Sequence, residues 1–350
     1  MQSEPSFKTN NVRSLAELRA WHAGSREEIL DPARPIIDPH HHLRDTAQGR
    51  YHLPELAEDL ASGHNVRATV FVDSQTMHRT DGPELLRPVG ETEFVMQSLA
   101  APAAAGSVRW NPCAGIVGTL DLTHGAEVRA GLEAHVAAGN GRFRGIRDPL
   151  MWDASDINYG VRRPPADRMT DPRFRAGFAE LAPLGMTFDA WLFHHQLPLL
   201  TDLARGFPAT TIILNHIGAP LGVGPYAGRR AEIFAAWRAS LIELARCPNV
   251  VVKLGGLGML FFGFGFERRD VPASSAELAA AWRPYIEVCI DAFGPARCMF
   301  ESNFPVDKQT CSYATLWNAF KLIAAGHSAA DKAAMFFGTA NRVYRLQLDA

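Results

Sequence analysis

The sequence predicts an α/β chain folded as a single (β/α)8 barrel, the TIM-barrel architecture, with an N-terminal helical arm. Three observations predict it: eight short apolar or β-branched runs, helical periodicity between them, and polar or charged groups at nearly every run's C-terminal end. The arm spans residues 1–33 and carries a helix over Ser14–Ala23; it is read as packing on the barrel or on a partner subunit of a homo-oligomer. The barrel spans 34–350. Its strands are predicted at Ile36–His40, Ala68–Val72, Ala114–Val117, Phe143–Ile146, Met186–Ala190, Thr211–Asn215, Val250–Lys253 and Cys298–Phe300. The helices are predicted at Leu53–Ser62, Glu91–Ala105, Ala126–Ala138, Leu197–Arg205, Ala231–Ala245, Ser275–Ala292, Ser312–Ala325 and Ala329–Phe337. A count of eight favours a closed barrel over a doubly wound sheet. No Gly-x-Gly-x-x-Gly or Walker motif follows any strand, which removes the dinucleotide and P-loop readings.

Composition narrows the function classes. With 350 residues, 47% of them hydrophobic and 21% charged, the chain can bury a large core and does not read as disordered. A net charge of -2 at pH 7 offers no basic field for nucleic acid. The five cysteines (Cys113, Cys247, Cys289, Cys298 and Cys311) are scattered, with no Cys-x-x-Cys, so neither a disulfide framework nor a thiolate zinc site is indicated. No signal-like start and no run of about 18 apolar residues is present. The expectation is a cytoplasmic enzyme acting on a small molecule, with no membrane partner.

Chemistry concentrates at the strand ends, where barrels of this class place their reactive groups. The first strand closes on His40-His41-His42. Residues i and i+2 share a face, so His40 and His42 project together and His41 points away. Later ends supply Asp73-Ser74-Gln75, Arg144-Gly145-Ile146-Arg147, Asp189-Ala190-Trp191, Asn215-His216, Lys253 and Glu301-Ser302-Asn303. Such groups are costly to bury without a purpose or a partner.

The His-x-His after strand one, Phe-Arg-Gly-Ile-Arg at strand four, Leu-Asn-His-Ile-Gly-Ala-Pro at strand six and Phe-Glu-Ser-Asn-Phe-Pro-Val-Asp at the end resemble the amidohydrolase-related family. These are TIM-barrel hydrolases of the amidohydrolase superfamily, and the likeness is to its lactonase branch, which opens sugar lactones and 2-pyrone-4,6-dicarboxylate. The likeness runs from Ile36 to Arg342. It implies the fold and a hydrolase, and leaves the substrate open.

Two departures from that pattern bear on mechanism. The family ends strand eight with Gly-Ser-Asp-Trp-Pro, and its Asp activates water; this chain has Asn303 in that place and Glu301 two residues earlier. Parity would put Glu301 and Asn303 on one face, about 6–7 Å apart. One reading moves the catalytic carboxylate to Glu301, as general base or metal ligand; the other pairs Glu301 with Lys253 or an arginine. Asp307 is expected outside, on the following loop. The second departure concerns metal. Arg144 and Arg147 at strand four and Asp189 at strand five do not fit a binuclear centre. His40, His42 and His216 could hold one zinc with water in the fourth place, or act without metal through hydrogen bonds.

The remaining candidates are substrate contacts. One of Arg144 and Arg147 is expected in the site, clamping a carboxylate, with the other on a helix acid. Lys253 is a second cation; Trp191 and Gln75 are further substrate-binding candidates, and Met151, Trp152 and Met259 complete an apolar mouth. His194 and His195 read as solvated or packing groups at a helix start. The segment Gly255–Phe266 reads as a mobile lid on glycine hinges or as a segment buried under the arm or at a subunit interface. The leading function is hydrolysis of a cyclic ester or related carbonyl compound, carboxylated or aromatic. A metal-dependent decarboxylase and a non-catalytic binding relative are the alternatives.

Overall fold

The computed structural model describes residues 13–46, 49–101, 110–155, 157 and 164–349. Ten strands are formed among these residues: β1 (Pro35–His41), β2 (Arg44–Thr46), β3 (Gly49–Tyr51), β4 (Asn65–Val72), β5 (Asn111–Gly118), β6 (Phe143–Pro149), β7 (Thr187–Trp191), β8 (Ile212–Leu214), β9 (Val250–Leu254) and β10 (Cys298–Phe300). Eight make one parallel sheet in the order β1-β4-β5-β6-β7-β8-β9-β10, while β2 and β3 form an antiparallel hairpin beyond the end of β1. The ring closes just past β10, where His42 N donates to Phe304 O at 2.8 Å and Asn303 N to His40 O at 2.9 Å. All eight predicted barrel strands are present.

Eleven α-helices accompany the strands among the described residues: α1 (Leu15–Ala23), α2 (Leu53–Leu60), α3 (Val89–Ala100), α4 (Val128–Ala138), α5 (Pro172–Phe178), α6 (Leu197–Gly206), α7 (Arg230–Ala245), α8 (Ser275–Phe293), α9 (Tyr313–Ile323), α10 (Ala329–Ala333) and α11 (Thr339–Val343). Residues 102–105 of the helix expected over Glu91–Ala105 lie outside the described residues. Ser14 and Glu17 form a capping box that starts α1.

Two apolar clusters hold the barrel. One fills the space between strands and outer helices, with Phe71, Ile116, Phe188 and Trp237 fully buried. The other lines the barrel interior: Ile37, Val70, Val117, Ile213, Val251 and Met299 pack with Phe337, Ala340, Val343 and Tyr344 of the C-terminal segment. That segment plugs one end and leaves the strand C-termini as the open mouth.

The described part of the arm straps the segment after β9. Arg13 donates to Glu267 O at 2.5 Å and to Arg269 O at 2.9 Å, its guanidinium lies 4.2 Å from the Trp21 ring centre, and Trp21 Nε1 donates to Asp270 O at 2.9 Å. Of the two readings of Gly255–Phe266, the structure takes the buried one: Leu257, Met259, Phe261 and Phe262 are all buried. No helix among the described residues is long and apolar enough to cross a membrane.

Candidate active site

The site begins with a register shift. Between Asp38 and His41 the β1–β4 pairing slips, at Pro39, which has no N–H to give a ladder. The bulge is braced by Asp38, whose Oδ1 accepts from Ser302 N at 2.9 Å and whose Oδ2 accepts from Tyr313 OH at 2.9 Å. His40 and His42 then turn inward together, ring centres 4.9 Å apart, while His41 faces the other way and bonds Thr69 Oγ1 at 2.8 Å.

His216 arrives from the opposite wall. Straight after β8 the backbone enters the left-handed region, with φ +52° at His216 and +54° at Ile217, conformations that non-glycine residues adopt at a cost. The turn brings the His216 ring centre 4.6 Å from that of His40 and edge-on to Trp191 at 4.7 Å. Two glycines make room for it: a Cβ on Gly255 would collide with Glu301, and one on Gly256 with the His216 ring. These glycines serve as clearance and not as the lid hinges the sequence suggested.

Glu301 lies between the imidazoles, fully buried. Its Oε1 meets His216 Nδ1 at 2.7 Å and accepts from His216 N at 3.2 Å. His40 Nδ1 stands 2.8 Å from Oε2, yet that oxygen has no well-directed hydrogen bond. Burial pushes the Glu301 carboxyl up to about 8, against the pull of Lys253. Burial also holds His40, His42 and His216 well below the ordinary histidine range, helped at His40 by Lys253 and at His42 and His216 by Arg147. His42 commits Nδ1 to Val72 O at 2.9 Å.

Other expectations need correction. Asn303 does not share the Glu301 face: the strand ends at Phe300, Asn303 takes φ +55°, and its side chain bonds Asp307 Oδ1 at 2.8 Å. Asp307 is fully buried, not outside, and also accepts from Gly258 N at 2.9 Å. Burial lifts its carboxyl to about 8. Arg144 is not a site residue. It lies at the start of β6 and donates to Tyr344 O, Gly141 O and Phe143 O. It therefore meets backbone carbonyls, and not the helix acid expected for whichever arginine stayed outside. Lys253 is wholly buried and gives Nζ to Asp189 at 2.7 Å, with His40 Nδ1 at 3.2 Å, so no substrate is needed to neutralise it.

Arg147 does reach the centre. Nη1 lies 3.4 Å from His40 Nε2, while Nε donates to Asp73 Oδ1 at 2.6 Å and Nη2 to Asp73 O. Gln75, at φ +57°, borders a ≈370 Å³ cavity over the ends of β4, β5 and β6, lined also by His78, Thr119, Asp121, Asp148 and Arg168. His40, His42, His216 and Glu301 do not line that cavity; Thr119 joins it to the centre by bonding Arg147 O at 2.8 Å. Met151, Trp191 and Met259 are buried and Trp152 half-buried. His194 and His195 sit at the turn before α6, His195 bonding Trp152 O at 2.9 Å.

The sequence reading missed Tyr344, whose OH donates to Asp189 at 3.1 Å, and Asp73 as the partner of Arg147. Tyr344 had no local signal, since it comes from the far end of the chain. Asp73 stood at a predicted strand end and could have been found by pairing each such acid with a cation.

The donor set suits one divalent ion. Ligand atoms of His40, His216 and Glu301 all lie within 4.8 Å of one another, and the orphaned Glu301 Oε2 is an oxygen that a cation would satisfy. Glu301 stands here in place of His42 in the expected trio.

Comparison with known proteins agrees with this architecture. The amidohydrolase family model matches residues 37–346. The chain is 33% identical over 325 residues to the protein y4mH of Sinorhizobium fredii, covering 89% of this chain and 98% of that one. It is 31% identical over 280 residues to an L-fucono-1,5-lactonase of Burkholderia multivorans, covering 75% and 86%. An amidohydrolase of Burkholderia multivorans solved with bound zinc superposes with a TM-score of 0.67 at 26% identity, covering 89% and 99%. This chain belongs to the amidohydrolase family and is a hydrolase of that family's barrel type.

Proposed function

We propose that this chain hydrolyses a lactone, a cyclic ester on a small polar or carboxylated molecule. The observation that carries the reading is the buried Glu301–His216 pair at the mouth of the barrel, bonded at 2.7 Å. The lactonase relative of Burkholderia multivorans supports the substrate class.

The chemistry follows from which partner holds the proton. With Glu301 ionised, His216 Nδ1–H donates to Oε1, the tautomer is fixed, and Nε2 presents a lone pair as general base. With Glu301 protonated, the carboxyl donates to Nδ1, Nε2 carries the hydrogen, and the base is gone. In the active form Nε2 takes a proton from water as its oxygen bonds to the lactone carbonyl. Arg147 supplies a fixed positive field for the developing oxyanion. The ring C–O bond then breaks, the alkoxide takes the proton back from Nε2, and a hydroxy acid leaves. Were a divalent ion held by His40, His216 and Glu301, His216 would serve it as a ligand in place of acting as base, and the ion would supply Lewis-acid polarisation of the carbonyl and acidify water. Trp191, edge-on to His216, keeps water off one side of the ring.

The test is a pH-indicator assay of purified protein against a panel of five- and six-membered sugar lactones that includes L-fucono-1,5-lactone. Metal content is measured before and after chelation. The reading expects hydrolysis of at least one lactone, lost in His216→Ala with the fold intact. A folded wild-type protein, with its metal content restored, that opens none of them would overturn it.

A further inference from the structure

Three cations near the barrel mouth already have acids. Arg147 holds Asp73, Lys253 holds Asp189, and Arg168 holds Asp148 and Asp121. Arg44 has none. It opens the β2–β3 hairpin two residues after His42, and its Nε is closed off from solvent with no acceptor. Among the described residues its side chain makes no hydrogen bond or ion pair. Asp45, the next residue, pairs with His52 at 3.1 Å, as alternation along a strand would place it.

Its surroundings add to the imbalance. Burial and the nearby Arg147 both lower the pKa of the Arg44 guanidinium, and Arg44 in turn bears on His42. A half-buried cation beside a second cation, with no counter-charge among the described residues, leaves its charge to be answered by solvent or by a bound anion. A planar guanidinium matches a carboxylate with two parallel N–H···O bonds.

We propose that Arg44 anchors a carboxylate of the substrate beside His42, so that the lactone this enzyme takes is an acidic one. The ester-opening part of that statement rests on the lactonase reading; the anion site does not. A charge-assisted contact of this kind contributes ~10–100-fold.

The experiment compares D-glucaro-1,4-lactone with D-glucono-1,4-lactone, which share a ring and differ by a carboxylate against a hydroxymethyl group. Wild-type protein is expected to prefer the acidic lactone by ~10–100-fold in kcat/KM, mainly through KM. Arg44→Gln should bring that ratio close to one, and Arg44→Lys should restore part of it. Calorimetry with D-glucarate against uncharged D-glucitol reads the anion site without turnover. A ratio that survives in Arg44→Gln, or D-glucarate binding no better to wild type than to Arg44→Gln, overturns the proposal. If neither lactone is opened while D-glucarate still binds through Arg44, the lactonase reading fails and the anion site stands.

Discussion

Asp189 and Glu301 are both fully buried carboxylates within one barrel, and they are served in opposite ways. Asp189 is saturated: Lys253 Nζ, Asn215 Nδ2 and Tyr344 OH all donate to Oδ1, and Tyr344 OH also lies 3.2 Å from Oδ2. Among the described residues Glu301 meets only imidazoles and one backbone N–H, and one oxygen is left without a directed hydrogen bond. The first pattern fixes structure. The second is what the proposed mechanism needs, since imidazole partners can change their own hydrogen-bonding roles when a carboxylate gains or loses a proton. The pairing explains why Lys253, which looked like a substrate cation in the sequence, belongs to the scaffold.

The largest effect on stability should come from breaking the saturated pair. Asp189→Asn strips Lys253 of its counter-charge in a place water does not reach, and should cost about 3–5 kcal/mol in chemical denaturation. If it costs no more than a surface substitution, the contrast between the two carboxylates is wrong.

A smaller effect separates them by pH. Glu301 ordinarily ionises near 4.5, and burial raises it to about 8 in the folded chain. The folded state therefore holds this proton more tightly than the unfolded one. Its contribution to stability is complete below about 4.5 and is lost as pH rises through about 8. Activity should run the other way, rising toward and through about 8 as His216 gains its basic tautomer. Asp307 and Glu91 are also lifted to about 8 by burial, so the informative quantity is the difference from Glu301→Gln. That variant should flatten the activity profile and part of the stability profile. A wild-type activity profile flat from pH 6 to 9 would contradict the assignment.

How far the sequence reached is clear from the same residues. The barrel was legible because eight apolar runs and their intervening helices carry distinct periodicities, and His40, His42 and His216 because imidazoles at strand ends are rare without cause. The Glu301 position was legible through its departure from the family pattern. Parity failed at Asn303, since the strand ends at Phe300 and a left-handed residue turns the chain away. It failed also for Asp307, because the loop after β10 folds back under Gly258. Pairings across the barrel, such as Arg147 with Asp73 or Lys253 with Asp189 and Tyr344, join residues far apart in sequence. No local pattern encodes which cation meets which acid.

The most direct test of the central claim is the turnover of Glu301→Gln on the best lactone substrate, measured alongside its melting temperature. An amide cannot take or return the proton that sets the His216 tautomer, and it keeps nearly the same shape. The account predicts a loss of about 10²–10⁴-fold in kcat with a melting temperature near that of the wild type. A Glu301→Gln protein that turns over at the wild-type rate when folded would contradict it.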